Sequence, residues 1–136
     1  RGLVGSEMCI RDRVKILVPP TACRLICVRR ILPHPQLVGT SRHITQGADD
    51  LLAAEWDAQA MQWRGRSMVV GGDPYELRFT LPPGWKCIDP TAKVERGLAC
   101  VVIKRPRNQP VAWRVRFERS DEPARPAHPT ITATPT

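Results

Sequence analysis

The sequence predicts an all-β fold, an antiparallel β-sandwich, and two stretches with their bounding turns carry the prediction. Between Tyr75 and Leu81, and again between Val111 and Phe117, apolar residues alternate with polar or small ones. A period of two is typical of a strand with one buried face. Gly71–Pro74 and Pro82–Gly84 are breaker runs that bound the first stretch. Half-buried strands need a second layer, so we expect two facing sheets whose inward residues are Tyr75, Leu77, Phe79, Leu81, Val111, Trp113, Val115 and Phe117.

The first thirteen residues are expected to say nothing about the fold. Residues 3–13, LVGSEMCIRDR, resemble the in-frame translation of a transposon adapter used to prepare DNA sequencing libraries. Residues 1–13 are therefore interpreted as an adapter-derived artefact and set aside. The alternative is a natural N-terminal arm. On the first interpretation the reading frame is truncated on its N-terminal side.

Residues 14–32 are predicted to form two strands. Val14–Val18 is a short apolar run ended by a double proline, which lacks the amide donors of a ladder. Cys23–Leu32 follows, with apolar residues on both parities. Two strands do not make a stable unit alone. We expect them to be the last hairpin of an upstream β-sandwich, with Pro33–Pro35 as an extended linker.

A second domain is predicted over residues 33–119, opening with a short strand and polar loop at Gln36–Gly47. Asp49–Trp63 is open to two interpretations. An Asp cap, alanines and an apolar stripe favour a helix, whereas the alternation from Leu52 to Trp56, a turn at Asp57–Ala60 and a return strand favour a hairpin. Because the flanking segments read as strands, we prefer the hairpin.

The rest of the second domain reads as strands and turns. Trp85–Asp89 is predicted as a short strand, Pro90–Gly97 as a polar connection, and Leu98–Lys104 as a central strand with two apolar faces. A turn at Arg105–Pro110 leads to the last strand, which runs to Arg119. Residues 120–136 are dominated by Pro, Thr and Ala, so a disordered tail or linker is expected.

The charge is strongly positive, with 21 Lys and Arg against 13 Asp and Glu and a net charge of +8. Most of the bases are arginines, and Arg78, Arg114, Arg116 and Arg119 are assigned to outward strand faces, which indicates a solvated surface. A nucleic-acid surface would interleave aromatic rings with the bases, but the strand aromatics have the opposite parity. We therefore expect no nucleic-acid partner. No segment has the length and apolarity of a membrane span, so no membrane partner is expected.

Four of the five cysteines lie outside residues 1–13 and are candidates for a metal site or a disulfide. In a strand, Cys23 and Cys27 would lie about 13 Å apart, too far to share a metal ion or a disulfide, so we expect small buried thiols. If Pro90–Gly97 is a symmetric hairpin connection, Cys87 and Cys100 fall opposite each other. They would then be neighbouring thiols, or a disulfide in an oxidising compartment. No metal site and no cofactor are predicted.

Candidate chemistry in the side chains is sparse. His43 near Asp49 and Asp50 could be drawn as a base with an orienting carboxylate, but no nucleophile or oxyanion site accompanies it, and we expect no catalytic residue. Exposed tryptophans can stack on sugar rings. Trp85, at a strand start, is the best carbohydrate-binding candidate, and Tyr75 is the second. For the other three, Trp56, Trp63 and Trp113, core packing is the preferred interpretation.

Two regions resemble a known family. Val14–Leu32, with the pattern Val-x-Ile-x-Val-Pro-Pro-x-x-Cys-Arg-Leu-Ile-x-Val-Arg, resembles the final hairpin of the C-terminal β-sandwich in α-galactosidase-like (melibiase-like) glycoside hydrolases. Pro35–Gly47, continuing to Gly71–Tyr75, is similar to an additional β-sandwich at the far C-terminus of some bacterial members. The resemblance implies a secreted or periplasmic carbohydrate-degrading parent whose catalytic carboxylates lie in a barrel upstream of Val14.

On that resemblance the chain is expected to be a non-catalytic accessory β-sandwich that braces the upstream catalytic domain, with glycan as a further partner. Two other functions stay open. A carbohydrate-binding module would expose Trp85 or Tyr75 on a shared platform. A basic nucleic-acid-binding β-domain would cluster Arg78, Arg114 and Arg116 with exposed rings. A brace needs only an apolar flank.

Overall fold

The computed structural model describes residues 15–24, 26–42 and 48–121, which contain eight β-strands and no helix. The strands are β1 (Gln36–Thr40), β2 (Leu51–Asp57), β3 (Gln62–Val69), β4 (Tyr75–Thr80), β5 (Trp85–Cys87), β6 (Lys93–Glu95), β7 (Leu98–Ile103) and β8 (Gln109–Arg119).

The strands form two four-stranded antiparallel sheets that pack face to face, which confirms the predicted β-sandwich. The first sheet has the order β1-β4-β7-β6, and the second has the order β2-β3-β8-β5. Only β2–β3 and β6–β7 are hairpins between sequential neighbours, and the other connections cross between the sheets. The central strands are therefore β4 and β7 in one layer and β3 and β8 in the other.

The core follows the alternation seen in the sequence. Tyr75, Leu77 and Phe79 of β4 are fully buried, and β8 buries every second residue along its central part. The ring of Phe79 joins the layers, with its centroid 5.5 Å from that of Phe117 and 6.2 Å from that of Trp113. Edge-to-face pairs at these distances add about 0.5–1.5 kcal/mol each beyond the area they bury.

The segment open to two interpretations is a hairpin, as preferred. β2 pairs with β3 in a register that sets Trp56 opposite Trp63. Asp57 starts the turn, since its Oδ1 accepts hydrogen bonds from the backbone N–H groups of Gln59 and Ala60, each at 3.0 Å. In a helix over Asp49–Trp63 the same two N–H groups would bond to the carbonyls of Glu55 and Trp56. Here the Asp57 carboxyl accepts from them instead, and these bonds lower its pKa.

The connection predicted over Pro90–Gly97 contains a strand, and the register predicted from it is wrong. β6 and β7 are joined by two residues, Arg96 and Gly97, with φ of 51° and 77°. Positive φ at both positions is the signature of a type I′ hairpin turn. It centres the hairpin between these residues, so that Cys100 faces Lys93.

The first part of the described chain corrects two further predictions. In residues 15–24 and 26–32 no strand forms, although the chain turns at Pro20 and Thr21, where the Ala22 N–H donates to the Pro19 carbonyl. Pro33–Pro35 is not a linker, because Pro35 is fully buried and both prolines accept hydrogen bonds from tryptophans. The predicted adapter segment and the predicted tail from residue 122 onward lie outside the described residues.

Candidate functional site

Trp85, the main carbohydrate-binding candidate, is half-buried and already has several partners. The guanidinium of Arg119, its cross-strand neighbour, lies 4.2 Å from the ring centroid. The indole Nε1–H donates to the Pro33 carbonyl at 2.9 Å, and Trp56 meets the ring edge-on at 5.7 Å. A cation over an aromatic face is an attractive contact. A sugar that stacked on this face would have to displace Arg119.

Trp56 and Trp63 pack against the core, which is the arrangement preferred from the sequence. His34 stacks on Trp56 with ring centroids 4.8 Å apart and planes within 3°. The Trp63 Nε1–H donates to the Pro35 carbonyl at 2.7 Å. The segment around His34 therefore covers the end of the sandwich where three tryptophans meet. Sequence reasoning missed this role because two prolines around one residue indicate only an extended backbone.

Tyr75 is wrong as a carbohydrate-binding residue, because its side chain is fully buried. Its hydroxyl donates to Oδ2 of Asp50 at 2.6 Å. Burial and the hydrogen bond to this carboxylate both raise the pKa of Tyr75 far above its ordinary value of 10.0. The pair is a structural hydrogen bond that anchors the entry to β2 against β4.

The same bond bears on the acid-base interpretation of His43, Asp49 and Asp50. Asp50 is buried and receives the Tyr75 hydroxyl, whereas Asp49 is exposed. His43 lies outside the described residues. Asp50 is thus oriented towards the core and towards Tyr75.

The four cysteines among the described residues are free, and none of them is placed as predicted. Cys87 lies in β5 opposite Phe117 and packs against the core, whereas Cys100 lies in β7 of the other sheet, on its outer side. The predicted neighbouring pair is therefore wrong. Partial burial raises the pKa of both thiols, so neither is an activated nucleophile. Cys23 and Cys27 are exposed, contrary to the expectation of buried thiols.

The described residues contain no group of three or more His, Cys, Asp or Glu side chains that could hold a metal ion. In this part of the chain there is also no helix long and apolar enough to cross a membrane.

A basic face covers the outer side of the second sheet. We call it the arginine face, defined by Arg64 and Arg66 of β3 and Arg114 and Arg116 of β8. All four side chains are exposed, and the register sets Arg64 opposite Arg114. Arg78 does not join them, because it lies on the first sheet and pairs with Glu76 at 2.6 Å. The parity of β3 was the signal that could have identified Arg64 and Arg66 from the sequence.

A shallow depression of about 450 Å³ lies within the arginine face. Small residues make up part of its lining, and Arg64, Arg66, Arg114 and Glu55 also line it. The full lining is Ala53, Ala54, Glu55, Arg64, Gly65, Arg66, Ala112, Trp113 and Arg114. Because three bases surround one carboxylate, the depression is electrostatically positive.

A smaller cavity of about 190 Å³ lies between the edges of the two sheets, lined by residues of β1, β2 and β3 together with Arg29. Its wall combines the apolar side chains of Leu37, Leu51 and Trp63 with the guanidinium-bearing Arg29. It is a gap between edge strands, and it holds no cluster of polar side chains that would orient a ligand.

Apolar side chains are exposed along the segment before the sandwich. Leu17, Val28 and Ile31 are 80%, 88% and 90% exposed. Val18 and Ile26 are also more than half exposed. Single exposed apolar side chains are common on protein surfaces. Five of them within fifteen residues are typical of a segment that packs against another domain or protein.

Comparisons with protein-family models, with curated proteins and with solved structures give no match to this chain.

Proposed function

We propose that this chain is a non-catalytic accessory β-sandwich of a carbohydrate-degrading glycoside hydrolase, and that it braces the catalytic barrel of its parent. The resemblance of residues 14–32 to a terminal hairpin of α-galactosidase-like enzymes supports the parent class. The parent is proposed to be secreted or periplasmic. The observation that carries the bracing role is the exposed apolar segment around Val28 and Ile31.

The segment has the composition of strands but has no ladder partner in the described chain. The side chains of Val28 and Ile31 are removed from water only if a second surface covers them. Full burial of each would contribute about 1.5–3 kcal/mol to the stability of that contact. The segment is also attached to the sandwich firmly, through the hydrogen bonds that Pro33 and Pro35 accept from tryptophans. An apolar strip fixed to a rigid sandwich suits a brace between domains.

The carbohydrate-binding module is the second candidate, and the geometry favours it less. Of its two predicted platform residues, Tyr75 is buried, and one face of Trp85 is covered by Arg119. A module of this kind would need Arg119 to swing away from Trp85. The nucleic-acid alternative required Arg78 to cluster with Arg114 and Arg116, and these residues lie on opposite sheets.

The decisive experiment is to recover the genomic reading frame that encodes residues 14–136. We expect the frame to continue upstream of Val14 into a β/α barrel that carries two catalytic carboxylates. A frame that joins Val14 to any other kind of domain contradicts the proposal.

A binding titration separates the brace from the module. Neutral galacto- and gluco-oligosaccharides are added to the chain while tryptophan fluorescence is followed. The bracing role predicts no saturable change. A saturable change that disappears in Trp85→Ala but survives in the matched variant Arg119→Gln would instead support the carbohydrate-binding module.

A further inference from the structure

The geometry of the second sheet points to a binding surface for a linear anionic polysaccharide, and we propose that the arginine face binds a polyuronate, a chain with a carboxylate on each sugar ring. The proposal goes beyond the bracing role and does not depend on it, since this face is on the outer side of the sandwich and uses none of the apolar segment. It rests on the placement of four arginines, on their scarcity of partners and on the depression between them.

The arginines form a regular array because they share one parity on two paired strands. Arg64 faces Arg114 across the β3–β8 ladder, and Arg116 is opposite Gln62. Neighbouring strands are about 4.8 Å apart, and residues i and i+2 are roughly 6.7 Å apart along a strand. The guanidinium groups therefore spread over a flat face at spacings that a chain of evenly repeated anions can follow.

The array carries more positive charge than its acidic neighbours offset. Like charges directly opposite each other on neighbouring strands are destabilising. Arg64 has an acidic neighbour, since it forms an ion pair with Glu55. Among the described residues, Arg66, Arg114 and Arg116 have no ion-pair partner. Arg64 and Glu55 pair across β2 and β3, and on the same sheet Lys86 pairs with Glu118 across β5 and β8 at 2.5 Å.

The Lys86–Glu118 pair shows that facing residues on β8 and a neighbouring strand can have opposite charges. At the β5–β8 ladder the cross-strand partners have opposite signs, and the carboxylate of Glu118 raises the pKa of Lys86. At the β3–β8 ladder the facing residues Arg64 and Arg114 have the same sign. An anion bound between them would turn the repulsion into two charge-assisted interactions.

The depression indicates what kind of molecule carries the anion. Four of its lining residues, Ala53, Ala54, Gly65 and Ala112, have small side chains or none, which leaves space between the longer arginine side chains. A volume of about 450 Å³ accommodates a sugar ring lying flat on the sheet. The guanidinium groups at its sides have planar forks that match the two oxygens of a carboxylate bidentately.

A nucleic acid fits the same face less well. Single strands are held by stacking of bases on exposed aromatic rings. On β3 and β8 the rings of Trp63, Trp113 and Phe117 point into the sandwich, on the opposite side from the arginines. Duplex DNA is bound chiefly by elements that enter a groove, whereas this face is the flat side of a sheet.

The test measures binding of the full chain to polygalacturonate by isothermal titration at low salt, with neutral galactan, a sulfated galactan, single-stranded DNA and duplex DNA as comparison ligands. The test variant is Arg114→Gln with Arg116→Gln. Its matched control is Arg105→Gln with Arg107→Gln, which removes the same charge from the exposed loop between β7 and β8. Circular dichroism checks that both variants are folded.

We expect polygalacturonate to bind, and neutral galactan not to bind. The test variant should lose affinity roughly a hundredfold, about tenfold for each charge-assisted contact, whereas the control should change by about twofold or less. The slope of log Kd against log salt should fall by about two in the test variant only. No binding of polygalacturonate, or equal loss in both variants, overturns the proposal. Tighter binding of DNA reassigns the face to a nucleic acid, and tighter binding of the sulfated galactan removes the assignment to carboxylates.

Discussion

Replacing Gly65 with alanine tests how tightly the backbone of β2 and the indole of Trp113 in β8 pack around β3, within the sheet that carries the arginine face. Gly65 lies in the middle of β3, opposite Ala54 on one side and Trp113 on the other. A Cβ atom at this position would lie 2.3 Å from the Ala53 carbonyl oxygen and 2.4 Å from Cζ2 of Trp113. Both distances are more than 1 Å shorter than ordinary van der Waals contact, so the indole and the β2–β3 ladder would both have to move.

The magnitude follows from two opposing effects. Overpacking a core by one methyl group costs about 1–3 kcal/mol. Against this, alanine restricts the unfolded chain and returns about 0.4–1 kcal/mol. Because one obstacle is a backbone oxygen in a paired strand, which cannot rotate away, we expect the upper part of the range. The net loss in the free energy of unfolding of Gly65→Ala should be about 2 kcal/mol.

The assay is urea unfolding followed by circular dichroism, with Gly97→Ala as the matched control. Gly97 has φ of 77° and nothing within 4 Å of an added Cβ, so its cost comes from the backbone alone and should be about 1 kcal/mol. A double-mutant cycle adds Trp113→Phe, which removes the indole atoms nearest to Gly65. We expect Gly65→Ala and Trp113→Phe to be less harmful together than their sum by about 1 kcal/mol, and Gly97→Ala to be additive with Trp113→Phe.

Two results would refute this reasoning. One is a neutral or stabilising Gly65→Ala, which would mean that β2 and β3 are not packed as tightly as the distances indicate. The other is strict additivity with Trp113→Phe, which would mean that the indole does not lie against Gly65.

Three further substitutions test other contacts. Ser67→Ala leaves the buried Nε1–H of Trp113 without its acceptor at 2.8 Å, and urea unfolding should show a loss of about 1–3 kcal/mol, whereas a neutral result would mean that water reaches the indole. Tyr75→Phe should flatten the alkaline limb of stability: the raised pKa means that the fold favours the neutral phenol, so the wild type loses up to about 1.4 kcal/mol per pH unit as pH rises above the unfolded value of 10.0. Melting curves of the wild type and of Tyr75→Phe from pH 8 to 11 measure this difference in stability. The half-buried thiols are present in both proteins, so their titration does not contribute to it, and parallel curves would contradict the prediction. His34→Ala removes the ring stacked on Trp56 and should cost about 0.5–1.5 kcal/mol with a red shift of tryptophan emission; unchanged emission would show that the stacking is not kept in solution.

The parts of the fold that could be predicted are strands in which the alternation of apolar and polar residues indicates which side chains are buried. Along β4 and β8 the alternation of apolar and polar residues is regular, and the burial pattern follows it residue by residue. Along these two strands local sequence and tertiary burial favour the same structure. The β2–β3 hairpin is a different case: local propensity alone favours a helix, and the hairpin is predicted because the flanking segments read as strands.

The failures share a different cause, since each depended on where one segment meets another. The strand β6 has no buried residue and no alternation to reveal it, and it exists because it pairs with β7. The register of Cys100 was wrong because the type I′ turn includes Arg96, a residue with a side chain at positive φ, where glycine or asparagine would have been the usual signal. Tyr75 is the exception to this cause, because the alternation along β4 already indicates an inward side chain, and the interpretation as a platform residue conflicts with that pattern.

The arginine face extends this contrast from the fold to function. The inward residues of β3 and β8 are dictated by the core, so any sequence with this fold must bury residues of that kind. The outward positions are free of that constraint, and alternating charges there would stabilise the ladder, as Lys86 and Glu118 do. Glu55 offsets the charge of Arg64, but among the described residues Arg66, Arg114 and Arg116 have no acidic partner, so this face keeps an excess of positive charge. A surface that departs from what the fold alone favours is where binding is expected, which is why the outer face of the second sheet, and not the buried aromatic end, is the place to look for a ligand.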